Sequence, residues 1–145
     1  MPHLMNTYNR QPVAFTHGEG CYLYDEQGRR YLDALAGIAV NTLGHAHPRL
    51  VRAIGEQAKR LIHTSNVYRV REQELLSDRL GALADMDEVF FGNSGCEANE
   101  AAIKLARMFG HNKDIDQPAI IVMEQAFHGR TLATLSATGN RKVQA

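Results

Sequence analysis

The chain has 145 residues, 44% hydrophobic and 22% charged, an ordinary globular composition that excludes disorder, collagen and low-complexity sequence. Lys+Arg 16 balance Asp+Glu 16, so there is no basic footprint for nucleic acid or an anionic membrane, and small molecules or other protein chains are the expected partners. Cys21 and Cys96 form no paired motif, which fits a reducing, cytoplasmic setting. The start, Met1-Pro2-His3-Leu4-Met5, shows no basic and apolar leader, and the apolar stretch from Ala34 to Val40 is too short to span a bilayer. A complete chain of this length buries roughly 68–70% of its unfolded surface, enough for a core.

In chain order, Cys21-Tyr22-Leu23-Tyr24 and Arg30-Tyr31-Leu32 flank the polar turn Asp25-Glu26-Gln27-Gly28 and predict a hairpin, with Tyr22 and Tyr24 packing. After Gly44-His45-Ala46-His47, Pro48 suits the first helical position. Leu50, Val51, Ile54, Ala58 and Leu61 then recur at three- and four-residue steps, predicting a helix from Pro48 to Leu61. Leu75, Leu76, Leu80 and Leu83 predict a second amphipathic helix from Glu72 to Leu83. From residue 88 the pattern becomes strand (Val89-Phe90-Phe91), turn, helix to Phe109, and strand (Ala119 to Met123), a βαβ unit with its turn at the ligand-binding edge. A short helix is predicted from Thr131 to Ala137.

The sharpest local signal is Gly92-Asn93-Ser94-Gly95-Cys96-Glu97, which joins a strand to the first turn of a helix. Orphan N–H groups and the positive dipole end meet there, so Gly95 and Cys96 amides with the Ser94 hydroxyl can cradle a phosphate. The same residues also read as a capping box, Ser94 accepting from the Glu97 N–H and Glu97 from that of Ser94. Beyond the second strand, Phe127 can stack on a heteroaromatic ring and Arg130 can pair with a carboxylate. His45-x-His47 with His63 lacks a completing ligand, so no metal is expected. His128, next to Phe127 and Arg130, can act as a general base or as a positioning group.

These residues resemble the class III pyridoxal-phosphate-dependent aminotransferases, and within them the acetylornithine type, from about Tyr8 to Gly139. The resemblance is carried by Gly18 to Asp25, Tyr31 to Val40, Leu43 to Pro48, Ser65 to Tyr68, Asn93 to Arg107 and Phe127 to Thr131. It implies an α/β chain, the truncated N-terminal part of the aspartate-aminotransferase-like fold (PLP fold type I). Residues 1–62 would open the small domain and 63–145 the large cofactor-binding domain. It further implies pyridoxal 5'-phosphate, with Ser94, Gly95 and Cys96 at its phosphate, Phe127 on its ring and Arg130 at the substrate carboxylate. Val40 and Asn41 would face substrate, and Ser65 to Tyr68 would form either part of a homodimer interface or a simple loop with one buried tyrosine.

Amino-acid and 2-oxo-acid substrates follow from the same resemblance. The Ala36 to Asn41 stretch favours N-acetylornithine with 2-oxoglutarate, in arginine biosynthesis, over ornithine, succinylornithine or 4-aminobutyrate. Cys96 stands where the family more often has alanine or threonine. The family's Schiff-base lysine and its acidic partner fall beyond position 145, and Lys59, Lys104, Lys113 and Lys142 match no such motif. The chain alone is therefore expected to be inactive and, with the apolar faces of its amphipathic helices exposed, aggregation-prone or poorly cooperative. The alternative is a non-catalytic interaction fragment.

Overall fold

Alternation along Tyr22-Leu23-Tyr24 builds the middle strand of a three-stranded antiparallel meander in the first of two units, Met1–Tyr68. The strands are β1 (Phe15–Glu19), β2 (Tyr22–Asp25) and β3 (Arg30–Leu32). The computed structural model describes residues 3–144; Met1 and Pro2 of the leader reading, and Ala145, lie outside them. The predicted hairpin is β2 with β3, in the register Tyr24↔Arg30.

Its turn is tied by Asp25, whose side chain accepts from Gln27 N at 3.0 Å, Arg29 N at 2.8 Å, Arg29 Nε at 2.7 Å and Tyr31 Oη at 3.0 Å. Burial pushes the Asp25 carboxyl up, but the Arg29 guanidinium and the other donors outweigh it, and the group sits below the ordinary aspartate value. Tyr24 stacks on His17 and Tyr22 lies under Arg30, as the packing reading requires.

β1 is an addition to the sequence reading, paired to β2 from Phe15↔Asp25 to Glu19↔Tyr22 across a bulge. The apolar stretch that follows holds α1 (Ala36–Ala39), a left-handed turn with φ of 48, 63, 66 and 60° at Ala36, Gly37, Ile38 and Ala39. Each non-glycine residue there costs about 1–2 kcal/mol. Asp33 offsets part of this by accepting from Ala36 N at 2.9 Å. His45 is held by Asp33 at 2.8 Å and by Asn41 at 3.1 Å. Gly44 needs to be glycine: its φ is +74° and a Cβ would stand 2.6 Å from the Gly20 carbonyl oxygen.

Helix α2 (Pro48–Arg60) matches the predicted helix, with Pro48 in its first turn. In the second unit, Arg69–Ala145, α3 (Arg71–Ala84) ends at Asp85 in the left-handed conformation. It is followed by α4 (Gly95–His111), α5 (Leu132–Ala137) and α6 (Arg141–Gln144). Among the described residues of this unit, α4 packs with α5 and α5 with α6.

One expectation is corrected. Residues 89–91 and 119–123 join no sheet, so the βαβ unit is not formed. Parallel strands take their stability from neighbours on both edges and cover on both faces, and this unit supplies neither. The apolar helix faces are exposed, as expected of the chain alone: among the described residues no hydrophobic side chain is buried. Leu50, Val51 and Ile54 on α2, and Leu75, Leu76 and Leu83 on α3, have the predicted spacing but stay exposed, because neither helix packs on another element of its own unit.

Candidate functional site

Ser94 turns the chain into α4 in an extended conformation (φ −153°, ψ 160°), and its hydroxyl accepts from Glu97 N at 3.2 Å. The return bond differs from the expectation. Glu97 Oε2 accepts from Asn93 N at 2.7 Å and from the Ser94 hydroxyl at 3.2 Å, while Oε1 accepts from the Asn93 amide at 3.2 Å. Asn93 precedes the cap, so its N–H is the one the Glu97 side chain meets when it folds back over the first turn. The Asn93 amide, against a lesser desolvation penalty, holds the Glu97 carboxyl below its ordinary value. Gly95 and Cys96 follow, and their N–H groups have no carbonyl four residues back within the helix. Apart from its chain neighbours and the helix's own backbone, nothing lies within 4 Å of where a Gly95 Cβ would be.

A cavity of about 640 Å³ opens over this helix start. It is lined by Ser94, Gly95, Cys96, Asn99, Phe127, His128, Gly129, Arg130 and Thr131. Ser94, Gly95, Cys96, Phe127 and Arg130, the residues assigned to the cofactor and the substrate carboxylate, thus meet at one place. Phe127 is 68% exposed, and the Arg130 guanidinium lies 5.9 Å from its ring centroid.

The far wall is shaped by contacts that local sequence did not give. Asn99 donates to the His128 carbonyl at 2.8 Å. The Thr138 hydroxyl accepts from His128 N at 3.1 Å and donates toward Thr134 O at 2.9 Å and Gly129 O at 3.2 Å. Thr134 and Thr138 are the fully buried side chains, at 0% and 1% exposure. Gly129 has φ +133°, and a Cβ there would stand 2.5 Å from both Cys96 Sγ and Thr134 Oγ1.

The Thr131, Thr134, Thr138 spacing that brings these hydroxyls to one side of α5 is visible in the sequence and is the signal that was missed. His128 Nε2 is buried without a hydrogen-bond partner.

Cys96 Sγ lies 3.4 Å from Thr131 Oγ1 and 3.3 Å from Thr134 Oγ1. These hydroxyls, Thr131 first, lower the thiol to about 7 from an ordinary 9.0. Thr131 Oγ1 also makes a short hydrogen bond to Glu100 Oε1.

The remaining assignments lie elsewhere in the chain. Val40 is 77% exposed, and Asn41 bonds His45 rather than standing open. Val67 and Tyr68 are 82% and 69% exposed. None of Lys59, Lys104, Lys113 and Lys142 lines the cavity. Among the described residues no three His, Cys, Asp or Glu side chains gather as metal ligands, and no helix is long and apolar enough to cross a membrane.

Comparison with known proteins gives the family of the chain. An acetylornithine aminotransferase of Nitrosomonas europaea is 64% identical over 145 residues, which are 100% of this chain and 37% of that protein. The crystal structure of N-acetylornithine aminotransferase from Stenotrophomonas maltophilia K279a matches with a TM-score of 0.78 and 41% identity, over 84% of this chain and 34% of that one. Taurine:2-oxoglutarate aminotransferase from Bifidobacterium kashiwanohense, solved in complex with PLP and glutamate, matches with a TM-score of 0.88 and 30% identity, over 98% of this chain and 32% of that one. The chain therefore spans about a third of the length of the relatives it matches. Its fold is a partial α/β piece of PLP fold type I. The pattern of "Aminotransferase class-III" covers residues 4–145, and the chain belongs to the class III aminotransferase family.

Proposed function

We propose that this chain carries the cofactor-phosphate, ring and carboxylate contacts of an aminotransferase. That enzyme would exchange an amino group between N-acetylornithine and 2-oxoglutarate, in arginine biosynthesis, with pyridoxal 5'-phosphate as cofactor. One observation carries the reading: the α4 N-terminus, Phe127 and Arg130 line a single cavity of about 640 Å³, within the 300–1,000 Å³ typical of small-molecule sites. The names of the acetylornithine-type relatives support the substrate, and the PLP and glutamate of the Bifidobacterium enzyme support the ligand classes.

The residues present fit a phosphorylated aromatic ligand. Space is open over Gly95, and two first-turn amides face no helical carbonyl. In this reading Gly95 and Cys96 donate N–H groups to the phosphate, and the Ser94 hydroxyl turns its proton from Glu97 toward it. Phe127 covers the ring, and Arg130 leaves its ring contact to grip the substrate carboxylate with two parallel N–H donors. When bound, the cofactor supplies an electron sink for carbanion chemistry. Residues 1–62 belong to the small domain and 63–145 open the large one, in a cytoplasmic homodimer.

The test is to read the native gene past codon 145 and assay the protein it encodes. Saturable exchange between N-acetylornithine and 2-oxoglutarate is expected. A preference for ornithine, succinylornithine or 4-aminobutyrate overturns the substrate assignment. The 145-residue chain alone should show no turnover above free cofactor, since no lysine lines the cavity.

A second reading, a non-catalytic chain that associates through apolar faces, draws on the absence of any buried hydrophobic side chain among the described residues. Sedimentation that rises with concentration, without a sharp unfolding transition, favours it. A sharp monomeric transition counts against it.

A further inference from the structure

We infer that Thr138, seconded by Asn99, is a positioning residue: it fixes the His128–Gly129 backbone and thereby sets Phe127 and Arg130 across the cavity from the α4 N-terminus. The inference rests on the functional reading above and adds to it the groups that hold the far wall. His128 is gripped on both sides of its peptide plane sequence. Its N–H donates to the Thr138 hydroxyl at 3.1 Å and its carbonyl accepts from Asn99 at 2.8 Å. Phe127 precedes this clamp and Arg130 follows it after one residue, so the backbone that the clamp holds aims both side chains.

Several features make the clamp specific. Thr138 is 1% exposed, so water cannot replace its hydroxyl without repacking, and a buried N–H left without a partner is costly. The same hydroxyl reaches Gly129 O at 3.2 Å, and Gly129 has the positive φ of +133° that turns the chain between Phe127 and Arg130. Gly139 N donates to Ala126 O at 2.9 Å, closing the loop on its other side. The hydroxyl also donates toward Thr134 O at 2.9 Å, and its bonds to His128, Gly129 and Thr134 reach Ser94, Gly95 and Cys96 only through those residues.

Removal of the hydroxyl should therefore loosen ring recognition while leaving phosphate recognition in place. The test measures, by isothermal titration on the full 145-residue chain, the affinity of pyridoxamine 5'-phosphate, which lacks the aldehyde that reacts with lysines, and of inorganic phosphate. Thr138→Val should weaken pyridoxamine 5'-phosphate at least tenfold and change inorganic phosphate by less than twofold. Thr138→Ser, which restores the hydroxyl, should return to within threefold of the unsubstituted chain. Asn99→Ala should move the ring ligand in the same direction, and serves if the valine variant does not fold.

Equal loss of both ligands, no loss with either variant, or failure of serine to rescue overturns the inference while the functional reading stands. If the unsubstituted chain binds pyridoxamine 5'-phosphate no more tightly than inorganic phosphate, the functional reading fails and the inference with it.

Discussion

Cys96 offers a direct test of the electrostatics at the α4 N-terminus, because its thiol is held at about 7 rather than 9.0 by the Thr131 and Thr134 hydroxyls. At pH 7 such a thiol is about half thiolate, against about 1% for one titrating at 9.0, a gain of about fifty-fold. Lower basicity costs nucleophilicity: with a Brønsted coefficient of about 0.4–0.5, two units remove a factor of about 6–10 in thiol–disulfide exchange. The net expectation is exchange with a small neutral disulfide about 5–8 times faster at pH 7 than for an ordinary thiol. The rate should rise with pH and level off above about 7, because only the deprotonated form reacts.

The assay follows Cys96 and Cys21 separately by mass spectrometry between pH 5.5 and 9.5. Thr134→Val should move the inflection upward and slow exchange at pH 7. An inflection above about 8.5 in the unsubstituted chain, or no movement in the variant, refutes the account of the thiol.

Three further outcomes follow from other contacts. Gly129→Ala would place a Cβ 2.5 Å from Cys96 Sγ and Thr134 Oγ1 at φ +133°. Overpacking and the forbidden conformation together cost about 2–6 kcal/mol. Amide hydrogen exchange at His128 should accelerate at least tenfold, and unchanged protection would contradict the crowding. Asp25 has its carboxyl below the ordinary 3.8 in the folded state, so its stabilisation is full above that value and fades as pH falls through the lowered one. Proton resonances of the Asp25–Arg29 turn should hold their positions down to pH 4 and shift only below it; loss above pH 4.5 would mean that Arg29 and Tyr31 do not hold the carboxylate. Arg130→Ala should weaken 2-oxoglutarate binding by about 1.5–3 kcal/mol, the range for a charge-assisted pair, and unchanged affinity removes Arg130 from the site.

How far the sequence could be read depended on whether the cause was local. The β2–β3 hairpin, α2, α3, α4 and α5 were legible because turn residues, a helix-starting proline, a serine cap and apolar spacing act within a few residues. β1 was not, since Phe15-Thr16-His17-Gly18-Glu19 has weak alternation and owes its conformation to pairing with β2. The left-handed turn at Ala36–Ala39 was hidden because its composition matches a right-handed helix. Residues 89–91 and 119–123 carry a strand's composition without a strand's partners.

The site shows the same division. Ser94, Gly95 and Cys96 follow from helix-start chemistry, and Phe127 and Arg130 from residue type and resemblance. Gly129, Thr134 and Thr138 act across about 30 to 40 residues on Cys96, or on one another around a loop, and no local pattern announces that Thr138 holds His128.

The central claim is that one cavity binds a phosphate at the α4 N-terminus and an aromatic ring at Phe127. The measurement that tests it most directly is an amide and aromatic NMR titration of the 145-residue chain with pyridoxamine 5'-phosphate. The account predicts saturable shifts at the Gly95 and Cys96 amides together with the Phe127 ring and Arg130, and, with inorganic phosphate, shifts at Gly95 and Cys96 alone. Shifts confined to other residues, or none at Gly95 and Cys96, would contradict it.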